Sequence, residues 1–247
     1  MPSPLARCPL NLILFDKVVE KAILPDDDPR ATHVREVLRL KVGDAFEVAV
    51  ANGPRGKATL LENCSKGMSL GFAWEQAVRN DLFPIRLLLG LPRPQTARKI
   101  LEQAAALGAG AIDFFGADKG EPSYANSKLW TTDEWKRHLT RGVEQAFCSF
   151  IPVVRHWRNL EAVLDDLSQS DERLALDLYE ADAPLSADAA IGKESVSLAL
   201  GPESGWSPRE RDLLREAEFT LLHLGDRVLR QETACLTALG VLAQPWW

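Results

Sequence analysis

From Pro84 onward, short apolar runs alternate with stretches whose apolar residues recur at helical spacing. IRLLLGL (Ile85 to Leu91), AIDFF (Ala111 to Phe115), IPVVRHW, RLALDLY, VSLAL (Val196 to Leu200) and FTLLHL (Phe219 to Leu224) read as buried strands. Between the first two, TARKILEQAAALG places Ile100, Leu101, Ala104 and Leu107 on one stripe, with Thr96 as the expected cap and Gly108 as the stop. After the loop from Gly116 to Leu129, a helix capped near Thr132 turns Trp135, Leu139, Val143 and Ala146 inward, and NLEAVLDDL is a further amphipathic helix. Continuous apolar strands alternating with helices predict a mostly parallel sheet covered on both faces.

The front of the chain has a different rhythm. NLILF, AFEVAV, KATLL and MSLGFAW are short β-prone runs separated by Pro25 to Pro29, Gly43-Asp44, Asn52-Gly53-Pro54 and Gly67. THVREVLRLKVGD carries Val34, Val37, Leu38 and Leu40 and predicts a short helix capped by Thr32. The expected architecture is therefore α/β with an N-terminal β-rich barrel, divided as residues 1–80 and 81–247, with a linker at Asn80 to Phe83.

Two glycine-bearing loops follow the last two strands, GPESG after VSLAL and LGDRVLRQETA after FTLLHL. Between them Ser207, Pro208 and Glu210 form a capping box, and Leu213, Leu214 and Ala217 give the helix one buried face. In open α/β sheets ligands bind at the carboxyl ends of the strands, where these loops gather. The loops hold few titratable groups, which suits a ligand held by backbone amides and by an apolar slot of Leu200, Leu222, Leu224 and Leu229.

Charge and motifs narrow the chemistry. The net charge is −6, but residues 161–247 carry 7 Lys and Arg against 17 Asp and Glu, so the first two thirds are net basic. Phosphates would be met by the front of the chain. The four cysteines, Cys8, Cys64, Cys148 and Cys235, are far apart and read as reduced thiols outside any disulfide or zinc pattern. No apolar run reaches membrane-spanning length, and MPSPLARCPLNLILF is a poor signal peptide, so a cytoplasmic protein is expected. No G-x-G-x-x-G follows a strand, no P-loop is present, and Pro202 and Trp206 stand where a serine nucleophile elbow needs glycines.

The order GPESGWSPRE then LGDRVLRQETA resembles the signature of the RsmE family, the 16S rRNA (uridine-N3) methyltransferases of the SPOUT superfamily. The chain keeps Gly201, Pro202, Glu203, Gly205, Leu224, Gly225, Arg227, Leu229, Arg230, Glu232, Thr233 and Ala234 of that pattern. Ser204 replaces a second glycine, Val228 is a mild change, and Trp206 stands for Phe. LPRPQTARKILEQAAALGA, GVEQAFCSFIPVV and the segment from His33 to Asp44 extend the resemblance over nearly the whole chain. In these blocks Ala106 replaces a usual Glu and Cys148 a usual Asp or Arg.

The resemblance implies a trefoil-knotted methyltransferase domain, a PUA-like RNA-binding domain, S-adenosyl-L-methionine as cofactor, and a homodimer formed through the knot domain. It implies N3-methylation of a uridine in 16S rRNA of the small ribosomal subunit. Leu178, Tyr179, Val228 and Thr233 then join Leu200, Gly201, Pro202, Glu203, Gly205, Leu222, Leu224, Gly225 and Leu229 around the cofactor. Tyr179 reads equally as part of a surface turn. A fixed guanidinium would stabilise the uridine anion as the methyl arrives. Arg230 is the first candidate, beside Arg227, with Glu232 as orienting partner or proton acceptor, or with Arg230 and Glu232 simply pinning the loop.

His33, Arg35, Arg39, Arg93 and Tyr124 are the candidate RNA contacts. Arg35 and Arg39, four apart on the expected helix, would share a face; an ordinary solvated face is the other reading. If the Ser204 position demands a positive φ, serine costs roughly 1 kcal/mol there. Two further readings of function stay open: methylation of another rRNA or tRNA nucleotide, and a non-catalytic RNA-binding assembly factor.

Overall fold

A computed structural model describes residues 12–64, 67–169, 171–181 and 183–247. Cys8 and Asn11 lie outside the described residues. The chain forms two compact units, residues up to Asp81 with Val143–Ile151, and Leu82–Gly142 with Pro152–Trp247. No helix among the described residues is long and apolar enough to cross a membrane.

The first unit is a five-stranded sheet curled into a half-barrel. Strands β1 (Ile13–Phe15), β2 (Lys21–Leu24), β3 (Ala45–Val50), β4 (Arg55–Cys64) and β5 (Gly67–Trp74) run in the order β1-β3-β4-β5-β2. Its core is Phe15, Val34, Phe46, Val48, Leu60, Met68 and Leu70 with smaller neighbours. Cys148 is half-buried here, and burial pushes its thiol up to about 11.

The helical segment of this unit differs from the sequence reading. Asp28, not Thr32, caps α1 (Pro29–Thr32), accepting from Arg30 N, because Pro29 at the first helical position sets the start. His33–Leu38 then continues as a π-turn and ends at Arg39, which adopts a left-handed φ of 54°. In a π-turn the hydrogen bond spans five residues, so positions three and four apart no longer stack. Val34 is consequently buried while Val37 is 59 % exposed.

The second unit is a seven-stranded sheet in which every pairing is parallel. Its strands are β6 (Phe83–Gly90), β7 (Ala109–Phe115), β8 (Val153–Trp157), β9 (Glu172–Leu176), β10 (Ala183–Pro184), β11 (Val196–Leu200) and β12 (Thr220–His223). They lie in the order β10-β12-β9-β11-β6-β7-β8. Central β11 is buried at all five positions, as a strand covered on both faces must be. Helices α2 (Pro94–Ala106), α3 (Lys128–Thr131), α4 (Glu134–Gln145), α5 (Leu160–Leu164), α6 (Pro208–Glu216) and α7 (Gln231–Ala243) connect the strands, and α2 packs on α7. Helix α2 begins two residues before the expected cap: Arg93 is its N-cap and Pro94 its first residue. Thr96 is thereby freed for a different contact, described below.

Candidate functional site

Three neighbouring parallel strands, β12, β9 and β11, end on the same edge and open into three loops. Asp177–Tyr179 follows β9, Gly201–Trp206 follows β11, and Leu224–Arg230 follows β12. Together they enclose a cavity of about 240 Å3, near the lower end of the ~300–1,000 Å3 typical of small-molecule sites. Leu176, Leu200, Leu222 and Leu229 supply apolar wall, and the glycine loops supply backbone.

The first glycine loop is fixed from several sides. Gly90, at the end of β6, lies so close that a Cβ there would come 2.6 Å from Pro202 N. Gln231 Nε2 donates to both Gly90 O and Gly201 O at 2.8 Å, joining the ends of two adjacent strands. Trp206 Nε1 donates to Leu176 O at 2.8 Å, and its ring stacks 6.0 Å from Phe115 at an interplanar angle of 6°. Gly205 takes the left-handed turn with φ 72°, whereas Ser204 keeps ordinary backbone geometry. The strain expected for serine is therefore not incurred, and Ser204 Oγ instead donates to Lys119 O at 2.8 Å.

The helix that follows is clamped by its predicted capping box. Ser207 Oγ accepts from Glu210 N at 3.0 Å while Glu210 accepts from Ser207 N at 2.9 Å. The same two side chains reach the Gly116–Leu129 loop: Ser207 Oγ donates to Asp118 at 2.6 Å, and Asp118 N donates to Glu210 at 2.9 Å. Glu203 turns toward the start of α2, accepting from Thr96 Oγ1 at 3.1 Å and facing Arg93 Nε at 3.3 Å.

At the other rim Asp177 and Arg211 form a buried ion pair, with Tyr179 N donating to Asp177 at 2.7 Å. Burial raises the Asp177 pKa, but the guanidinium and the loop amides outweigh it and hold the carboxyl below its ordinary range. Tyr179 lines the cavity and is 79 % exposed.

Every expected cofactor residue from Leu178 to Leu229 lines this cavity. The structure does not bring Thr233 to its lining. Of the three catalytic candidates, Arg227 lines it. Arg230 is the N-cap of α7, and Glu232 accepts from Lys99 Nζ at 3.0 Å. Burial raises the Glu232 pKa, but Lys99 first and Arg230 among the lesser contributors lower it below its ordinary value. Arg227 and Arg230 are exposed and make no ion pair among the described residues.

The candidate RNA residues fall in different places. Arg35 pairs with Asp26, and Arg39, beyond the π-turn, donates to Glu36 O at 3.4 Å. The shared α-helical face expected for these two arginines is thus not present, because the π-turn and the left-handed Arg39 redirect the chain. His33 opens the π-turn in the first unit. Arg93 faces Glu203, and Tyr124 sits in the short 3-10 turn Pro122–Asn126 of the second unit. The sequence reading missed Asp177, Arg211, Gln231, His223 and Lys99. Polar residues interrupting the runs RLALDLY and FTLLHL were the signal available for Asp177 and His223.

A family model for the RNA methyltransferase domain matches residues 79–243. The ribosomal RNA small subunit methyltransferase E of Treponema pallidum is 30 % identical over 243 residues, covering 94 % of this chain and 90 % of that protein. This chain belongs to that family. A second relative, ribosomal RNA small subunit methyltransferase E 1 of Borreliella burgdorferi, is 26 % identical, covering 95 % of this chain and 98 % of that protein. Among solved structures, the Neisseria gonorrhoeae ribosomal RNA small subunit methyltransferase E bound to S-adenosyl methionine superposes with a TM-score of 0.80 at 20 % identity, covering 96 % of this chain and 98 % of that one. A putative methyltransferase of Legionella pneumophila in complex with the same cofactor gives 0.78 at 22 % identity, covering 97 % and 98 %. The family and fold read from the two glycine loops are borne out.

Proposed function

We propose that this protein transfers a methyl group from S-adenosyl-L-methionine to N3 of a uridine in 16S rRNA of the small ribosomal subunit. The observation that carries the reading is the cavity itself: three strand-end loops, walled by leucines and backbone, with the Arg227 guanidinium in its lining and Arg230 following at the start of α7. The family's named activity on small-subunit rRNA supports the substrate class.

The residues fit the cofactor. Leu200, Leu222, Leu224 and Leu229 offer an apolar slot for a purine, and the loop from Gly201 to Gly205 offers backbone groups that Gln231 and Trp206 hold in place. When bound, the sulfonium supplies an electrophilic methyl without a metal or a covalent enzyme intermediate. Arg227 and Arg230 stabilise negative charge on the uracil carbonyl oxygens as N3 loses its proton. Glu232, held ionised beside Lys99, orients the start of α7 or takes the proton through water. Leu178, Tyr179, Val228 and Glu203 complete the cofactor rim. His33, Arg35, Arg39, Arg93 and Tyr124 contact RNA in this reading. The protein acts in the cytoplasm as a homodimer formed through the second unit.

Nucleoside mass spectrometry of 16S rRNA tests the proposal, using cells that lack the protein, the parent, and rescues with wild type and Arg230→Ala. The expected result is loss of 3-methyluridine, restored by wild type and not by Arg230→Ala. Unchanged 3-methyluridine in the deletion overturns the assignment.

A further inference from the structure

His223 closes β12, opposite Pro184 of β10, and lines the cavity. Gly225, with φ 88°, turns its N–H back onto this ring and donates to Nδ1 at 2.9 Å. An imidazole nitrogen that accepts carries no proton, so the ring proton sits on Nε2. That Nε2–H has no protein partner among the described residues, yet it is absent from the buried unpartnered atoms, so it reaches solvent. The neighbouring polar side chains of the wall are differently placed: Asp177 and Arg211 are consumed by each other, and Gln231 Nε2 by two carbonyls.

We infer that His223 binds the cofactor through two separable contacts, Nδ1 bracing the second glycine loop at Gly225 and Nε2–H donating to an acceptor of the bound molecule. The inference rests on the cofactor reading above. A neutral N–H donor matches the acceptors S-adenosylmethionine carries, namely its terminal carboxylate and the oxygen and nitrogen atoms of its nucleoside. The brace matters as much as the donor. A loop already held in its binding conformation loses less freedom when the ligand arrives.

Side-chain length separates the two contacts. His223→Asn keeps an acceptor near the position of Nδ1 and has nothing at Nε2. His223→Gln reaches the position of Nε2 with a donor and lacks the brace, and His223→Phe has neither. Isothermal titration of the full chain with S-adenosylmethionine and with 5′-methylthioadenosine, which lacks the carboxylate, reads the outcome. His223→Asn is expected to weaken S-adenosylmethionine five- to twentyfold with an unchanged melting temperature of the ligand-free protein. His223→Phe is expected to weaken it further, with His223→Gln in between. If the carboxylate is the acceptor, His223→Asn binds 5′-methylthioadenosine as wild type does; if the nucleoside is, the loss persists. Wild-type affinity of His223→Asn and His223→Gln for both ligands overturns the inference while leaving the cofactor reading intact. Failure of the wild-type protein to bind either ligand overturns both.

Discussion

Gln231 is only 6 % exposed and uses one amide nitrogen to tie Gly90 O to Gly201 O, leaving its Oε1 buried without a partner. Two hydrogen bonds are each worth about 1 kcal/mol, while an unpaired buried acceptor costs about 1–3 kcal/mol. The arrangement is therefore close to neutral for folding, and its consequence is the position of the Gly201 carbonyl beside the cavity. Gln231→Leu removes the unpaired Oε1 but strips Gly90 O and Gly201 O of their shared donor, so it should destabilise by about 1–3 kcal/mol in urea unfolding. It should weaken S-adenosylmethionine roughly tenfold by titration, about 1.4 kcal/mol. Asp177 acts differently, because its carboxylate organises a loop by charge. Its folded pKa is depressed, so the stability it confers is present above the unfolded pKa of about 3.9 and is lost as pH falls through the lower folded value. Asp177→Asn should be destabilised most near pH 7, and the gap to wild type should close below about pH 4 in urea unfolding. A gap of constant size would show that the ion pair with Arg211 is not its source.

At the scale of elements, the α6 capping box was legible because Ser207, Pro208 and Glu210 announce it locally. The structure adds that the same groups hold Asp118, so the box also clamps the Gly116–Leu129 loop beside the glycine loop. Ser207→Ala should cost about 1–2 kcal/mol in chemical denaturation, and it should also speed proteolysis near Asp118. Local chemistry explains the misplaced starts too. Thr96 looked like a cap, but Pro94 had already set the helix start, and Thr96 Oγ1 serves Glu203 instead. The π-turn at His33–Leu38 has no signature that separates it from an α-turn, so the spacing of Arg35 and Arg39 was read with the wrong period. Conversely, the apolar run of β11, broken only by Ser197, marked a doubly covered strand, and all five of its positions are buried. The glycine loops marked the site because backbone conformation is written directly in glycine, whereas Gln231 acts through Gly90 and Gly201, distant in sequence, and the bond from Gly225 N to His223 appears only once the loop is folded.

For the whole molecule, the segment Val143–Ile151 decides what can be separated. It belongs to the first unit although the sequence around Cys148 carries no sign of it. Glu144 accepts from Leu14 N at 3.0 Å, Asn52 accepts from Ile151 N at 2.9 Å, and Ser149 O accepts from Asn52 N at 2.8 Å. A fragment beginning at Leu82 would keep the cavity and nearly all of the family match, yet it would strip this segment of its partners. Three lost hydrogen bonds at about 1 kcal/mol each correspond to a fall in melting temperature of roughly 6–12 °C for a domain of this size. The fragment should therefore melt well below the full chain and still bind S-adenosylmethionine at low temperature, since no cavity residue is removed. Differential scanning calorimetry with and without cofactor reads both properties at once. A fragment as stable as the full chain would mean that Val143–Ile151 folds without its partners. Loss of cofactor binding in a folded fragment would mean that the first unit contributes to the site.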